Sequence, residues 1–196
     1  MTKPETTKPI SARDRLITAA ANLFYRDGVA ATGIDTITRE AGVAKQSLYN
    51  NFRSKSELVA TYLDIRHQEW LGLYAARAGN ISLPIDGILA VFDAYEDHAE
   101  LAYAHGFRGC GLLNAAAELP AGDTGRDTVR RHKEEVEAIL AGHLRKLTAD
   151  EARADRLARR LSYLLEGAMS RAGLEGNGAC IRDARAMAET LLIDLA

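Results

Sequence analysis

The feature that most restricts this fold is a 3.6-residue apolar period that recurs in segment after segment with almost nothing to interrupt it. Beyond Pro9 only Pro84 and Pro120 break the chain, and no stretch alternates apolar and polar residues for long. Proline stops helices and period-two alternation marks strands, so the pattern predicts helices joined by short turns. The first spans about 11–27, with Ser11 as N-cap, Leu16, Ala20, Leu23 and Phe24 on one stripe, and Gly28 as the stop. Two short helices, about 34–41 and 44–52, flank Gly42, and a long one fills about 55–78. Ser82-Leu83-Pro84 opens a fifth, with Ile85, Ile88, Leu89, Phe92 and Ala99 inward, and a short apolar helix ends near Glu118. Helices at about 126–147, from a Thr148 cap to about 174, and at 180–196 complete the set. The expected fold is all-α, nine helices and no strands.

Composition excludes several classes. The 196 residues carry a net charge of -2 and are 47% hydrophobic, a folded protein's balance. No apolar run approaches the roughly 18 residues of a membrane span. The opening MTKPETTKPI is too polar for a signal peptide, so the cytoplasm is the expected location and no membrane the expected partner. Cys110 and Cys180 are too few and too far apart for a disulfide framework or a zinc site, and no metal or cofactor is expected. Charge is nonetheless uneven. Residues 1–55 hold nine Lys and Arg against five Asp and Glu, and the remainder sixteen against twenty-two. A basic end on an acidic body suits a polyanion partner at that end alone.

The stretch Thr32–Lys55, TGIDTITREAGVAKQSLYNNFRSK, fits two short helices joined by a tight turn at Gly42. Ile37, Ala41, Val43, Leu48 and Phe52 are placed to pack these helices on the first. That leaves Lys45, Gln46, Ser47, Tyr49, Asn50 and Asn51 on an open face. Lys and Gln reach base edges, Ser and Tyr hydroxyls donate to phosphate, and Lys55 at the next helix start can hold another phosphate. An ordinary helical hairpin with a solvated polar face has the same pattern.

The opening ARDRLITAAANLFYRDG, the stretch just quoted and the SELV that follows it resemble the TetR family of transcriptional regulators. Ala41-Gly42-Val43, Leu48-Tyr49, Phe52 and Lys55 stand at the family's spacing, over about 45 residues. Ala44 departs from it, standing where a Ser or Thr usually caps the recognition helix; Gly33, Thr38 and Asn51 are further departures. The resemblance implies a flexible arm at 1–10, a helix-turn-helix DNA-binding domain at 11–55 (the motif at about 33–52) and an effector-binding and dimerisation domain at 56–196. It implies Tyr49 and Lys55 on phosphates, Lys45, Gln46, Ser47 and Asn50 at base edges, and Asn51 on the backbone. Lys3 and Lys8 add contacts or form an idle tail. A homodimer would set its recognition helices about 34 Å apart on a near-palindromic operator of double-stranded DNA.

Leu157, Leu161, Leu164, Leu165, Ala168 and Ala172 form one stripe; Ile181, Ala184, Ala188, Leu191 and Leu195 form another. Either closes the chain's own core, or, as the resemblance implies, the pair builds a four-helix dimer interface. The middle helices carry His67, Trp70, Tyr74, Phe92, Tyr95, Tyr103, His105 and Phe107, which are core residues or the wall of a small-molecule effector pocket. Cys110 and Asn114 in RGCGLLNAAAEL join them by resemblance. Cys110 at a helix start is a thiol sensor or an inert core residue.

Enzyme motifs are missing: there is no GxGxxG, Walker loop, HExxH or GxSxG. Cys110 with His105 lacks a third catalytic group, and no catalysis is expected. The expected function is a DNA-binding regulator, a repressor released by its ligand. A helical ligand-binding protein without a DNA role is the alternative.

Overall fold

The computed structural model describes residues 10–79, 81–100 and 106–193. Among these residues there are nine α-helices and no strand. They are α1 (Ala12–Asp27), α2 (Ile34–Glu40), α3 (Lys45–Asn51), α4 (Lys55–Ala78) and α5 (Pro84–Glu100), then α6 (Gly111–Glu118), α7 (Thr124–Leu144), α8 (Glu151–Glu175) and α9 (Ala179–Ile193). The chain forms two compact units, Met1–Tyr62 and Leu63–Ala196.

In the first unit, Ser11 caps α1 by accepting from the Asp14 N–H at 3.1 Å. α1 packs on α2 and α3 through Leu16, Leu23, Ile37 and Leu48, all buried. Each such side chain contributes about 1.5–3 kcal/mol. Tyr62 meets Phe24 edge-on with ring centroids 5.6 Å apart, and the Arg13 guanidinium lies 5.2 Å from the Phe52 ring centre. Between α2 and α3 the chain turns at Gly42, whose φ of +61° a β-carbon would strain. The Gly42 N–H donates to Arg39 O and the Val43 N–H to Thr38 O, satisfying the carbonyls at the end of α2.

The second unit centres on α5, which packs against both α7 and α9. From Gly87 to Ala99 it is buried on nearly every side, as a central helix must be. Ion pairs at its rim join it to α9: Arg185 to Asp93 at 2.6 Å and Arg182 to Glu96 at 2.8 Å. Two helix starts differ from the sequence reading. Asp123 caps α7 at Thr124, ahead of the expected 126, by accepting from the Gly125 N–H. Asp150, not Thr148, caps α8: its carboxylate accepts from the Arg153 N–H, while the Thr148 hydroxyl accepts from the Asp150 N–H and shapes the turn before it.

Candidate nucleic-acid interface and buried cavity

α3 is only seven residues long, and its position is fixed from beneath: Leu48 and Phe52 are buried. The 100° step per residue then turns Lys45, Gln46, Tyr49 and Asn50 outward, and all four are exposed, Tyr49 by 50%. Ser47 and Asn51 are half-buried at the edges of this face. Its polar groups bond to one another. Lys45 Nζ pairs with Asp35 at 2.8 Å, Gln46 Nε2 donates to Asn50 Oδ1 at 3.1 Å, and Asn51 Nδ2 donates to the Ser47 carbonyl at 2.7 Å. The first two are exposed and light, so a stronger acceptor can replace them. Ala44 sits in cap geometry, φ -68° and ψ 149°, with no side-chain bond to the helix. Ser54 accepts from the Glu57 N–H at 3.2 Å, starting α4 and placing Lys55 in its first turn.

The second unit holds a narrow, partly open gap whose free volume, about 10 Å³, is room for about one water molecule. Trp70, Tyr95 and Cys110 line it, together with Arg66, His98 and His132, and Gly111, Leu112 and Met169 complete the wall. Trp70 stacks on Tyr74 at 5.7 Å between ring centres, but Tyr74 itself bonds His143 Nε2 through its hydroxyl at 2.8 Å. Phe92 and Phe107 are buried outside the wall, and Asn114 Nδ2 donates to the Arg108 carbonyl. Tyr103 and His105 lie outside the described residues, as do Lys3, Lys8 and Leu195.

A chain of polar groups borders the gap. Lys133 Nζ pairs with Glu166 at 2.8 Å and approaches Tyr95 Oη at 3.4 Å and Cys110 Sγ at 3.7 Å. Burial works against the ammonium, but the neighbouring groups, foremost the Glu166 carboxylate at 2.8 Å, outweigh it and hold Lys133 charged. Burial, reinforced by Lys133, pushes His132 down to about 3. Burial, then Arg66 and Lys133, pushes His98 down to about 4. Burial drives the Tyr95 hydroxyl upward, so it keeps its proton. Tyr95 Oη lies 3.4 Å from His132 Nε2, His132 Nδ1 lies 2.8 Å from His67 Nδ1, and His67 Nε2 lies 3.2 Å from Glu135, a continuous polar chain. Arg66, His98, His132, Lys133 and Glu166 were not singled out by the sequence; no local pattern marks them, because four different helices supply them. Among the described residues no group of three His, Cys, Asp or Glu is arranged to hold a metal ion. No helix among them is long and apolar enough to cross a membrane.

The two apolar stripes of α8 and α9 face inward. Leu157, Leu161, Leu165, Ile181, Ala184 and Ala188 are buried within this single chain, Leu164 and Ala168 are half-buried, and Leu191 is exposed. The large apolar side chains left outside are Tyr163 (67% exposed) and Leu174 (84%) on α8 and Met187 (55%), Leu191 (40%) and Ile193 (68%) on α9. Tyr163, Gly167, Ser170 and Leu174 fall at steps of four, three and four, one further face of α8.

The pattern of the family described as bacterial regulatory proteins, tetR family, matches residues 16–62. A TetR-family transcriptional regulator from Streptomyces coelicolor has a closely similar structure: TM-score 0.86, 28% identity, covering 94% of this chain and 95% of that one. A putative TetR-type regulator from Streptomyces avermitilis shares 30% identity at TM-score 0.74, covering 92% of this chain and 99% of its own. The HTH-type transcriptional repressor KstR2 of Mycolicibacterium smegmatis is 32% identical over 103 residues, which are 52% of this chain and 50% of that repressor. The chain thus spans about half the length of this curated relative.

Proposed function

This chain belongs to the TetR family of DNA-binding transcriptional regulators, and from that premise we propose that it is a cytoplasmic homodimeric repressor that binds a near-palindromic operator and is released by a small molecule. The observation that carries this reading is the outer face of α3. Lys45, Gln46, Tyr49 and Asn50 stand exposed on a helix whose other side is fixed by buried Leu48 and Phe52. Such a face enters a major groove as a rigid unit. Tyr49 and Lys55 would hold phosphates while Lys45, Gln46, Ser47 and Asn50 meet base edges and Asn51 the backbone. The exposed Tyr163, Leu174, Met187 and Leu191 support dimerisation through α8 and α9, with a second copy covering what this chain leaves bare. Ligand in the cavity beside Arg66 and Trp70 would act through α4, the helix that also carries Lys55. DNA and ligand then oppose each other through one coupling free energy, typically about 1–3 kcal/mol.

Fluorescence anisotropy with DNA flanking the chain's own gene, at two salt concentrations, tests this. Wild type should bind one fragment in the presence of competitor DNA, with log affinity falling about five- to sevenfold as steeply as log salt rises. Tyr49→Ala should lose tenfold or more while its helical circular dichroism is unchanged. Lys55→Ala should flatten the salt slope by about one unit per protomer. Equal affinity of Tyr49→Ala and wild type would refute the proposed reading face.

A further inference from the structure

The cavity in the second unit is lined by hydrogen-bond donors from two helices. Arg66 and Trp70 are four residues apart on α4, so they lie on one face of it, and both line the gap. Trp70 is only 2% exposed, yet its indole Nε1–H, which can only donate, is buried without a hydrogen-bond partner. A buried donor left unpaired is costly, and an acceptor placed in the gap relieves that cost. The start of α6 joins them. Gly111 and Leu112 line the gap as the first two residues of that helix, and Cys110 before them makes no side-chain cap. The first-turn N–H groups of a helix have no partner within it and carry the positive end of its dipole. The gap is therefore bordered by a guanidinium, an unpaired indole N–H and an uncapped helix start.

The two carboxylates nearby each pair with a cation. Glu69 pairs with Arg66 at 3.1 Å, on a side chain more exposed than the arginine's, and Glu166 pairs with Lys133 at 2.8 Å through one oxygen, its other oxygen being buried without a partner. Neither carboxylate lines the gap. The two histidines that do, His98 and His132, are held neutral by burial and by the positive field of Arg66 and Lys133. The rest of the wall is apolar and partly aromatic, with Tyr95, Leu112 and Met169. The free space is only about that of one water, so an organic guest needs the wall to open, and Met169, unbranched with three rotatable bonds, is the lining side chain best suited to move aside.

We propose that the ligand of this cavity is a small organic anion, a carboxylate on a flat apolar body, whose oxygens accept from Trp70 Nε1, the Arg66 guanidinium and the first turn of α6. The inference rests on the effector reading above and gives that effector a chemical class. The anion end replaces missing hydrogen bonds, and the flat body lies against Tyr95, Leu112 and Met169.

Three probes of one shape and different charge decide it: benzoate, benzamide and benzylamine. Titration into the purified protein is followed by calorimetry and by the emission of Trp70, the chain's only tryptophan. Benzoate should bind and shift the emission, with benzamide at least tenfold weaker and benzylamine silent. Arg66→Gln should weaken benzoate tenfold or more and leave benzamide within about twofold, an internal check that the cavity is intact. Benzamide or benzylamine binding as tightly as benzoate overturns the anion assignment. If either of them also releases operator DNA, the effector reading stands without it. Silence from all three at millimolar concentration overturns the cavity as a site for such a ligand. Unchanged benzoate affinity in Arg66→Gln overturns the role given to the guanidinium and with it the proposal.

Discussion

The two units treat polar side chains in opposite ways. On α3 they stand in water and bond loosely to one another: Lys45 to Asp35, Gln46 to Asn50. Around the cavity they are buried, and the chain there carries a charged lysine, neutral histidines and an indole N–H without a partner. An exposed polar group costs folding almost nothing, so a reading face can be assembled from adjacent residues on one short helix. A buried polar group costs kilocalories unless its neighbours answer it, so a cavity wall must be assembled from several helices at once. What one unit gains in freedom of sequence the other gives up for chemical specificity.

Acid should separate the two units most strongly. All five histidines lie beyond residue 66, so none belongs to the first unit. His98 and His132 titrate near about 4 and about 3 when folded, against an ordinary value of about 6.5 in the unfolded chain. Because the folded values are depressed, the unfolded state binds more protons as pH falls below about 6.5, and stability drops with it. At about pH 5 the loss should be about 2 kcal/mol for each histidine, complete only below their folded values. Denaturant unfolding followed at Trp70 should show this loss between pH 7 and pH 5. A flat profile over that range would mean that both histidines are already solvated.

Breaking one ion pair in each unit comes next. Glu166→Gln leaves the Lys133 ammonium beside Tyr95 and Cys110 without its counter-charge. The expected cost is about 2–3 kcal/mol, below that of a fully buried pair because both side chains keep some solvent contact. Asp35→Asn removes the partner of Lys45, whose pair is open to water, and should leave the unfolding midpoint where it is. Equal effects of the two substitutions would erase the contrast between the units.

How much of this was legible in the sequence follows the same division. Ala41-Gly42-Val43 is read locally, since the positive φ at Gly42 and the bonds that close α2 involve residues within five positions. The face of α3 follows from the burial of Leu48 and Phe52 on the same helix. Neighbouring groups in and beside the cavity are far apart in sequence: His132, which lines it, meets His67 at 2.8 Å across 65 positions. Periodicity says which face of a helix is apolar, not which helix it will meet. The α8 and α9 stripes illustrate the same gap. Leu161, Leu165 and Ile181 have the spacing of a seam, and they seal their own chain, while the exposed Tyr163 and Met187 carry no periodic signal strong enough to be noticed.

The smallest effect probes the economy of the reading helix itself. α3 has two turns, too few to hold together by propensity, and it begins at Ala44 without a side-chain cap. The backbone there already has the extended φ and ψ of an N-cap, so a serine needs no rearrangement for its hydroxyl to accept from the Ser47 N–H or its neighbour. Ala44→Ser should therefore stabilise the protein by about 0.5–1 kcal/mol. If the uncapped start lets α3 fray in the free protein, the same substitution should tighten operator binding by a few-fold, because less order is lost on docking. A gain in stability with unchanged affinity would instead mean that Leu48 and Phe52 alone hold the helix in its DNA-bound form. In that case burial on one side is sufficient to build a reading face, and the missing cap costs some stability but no affinity.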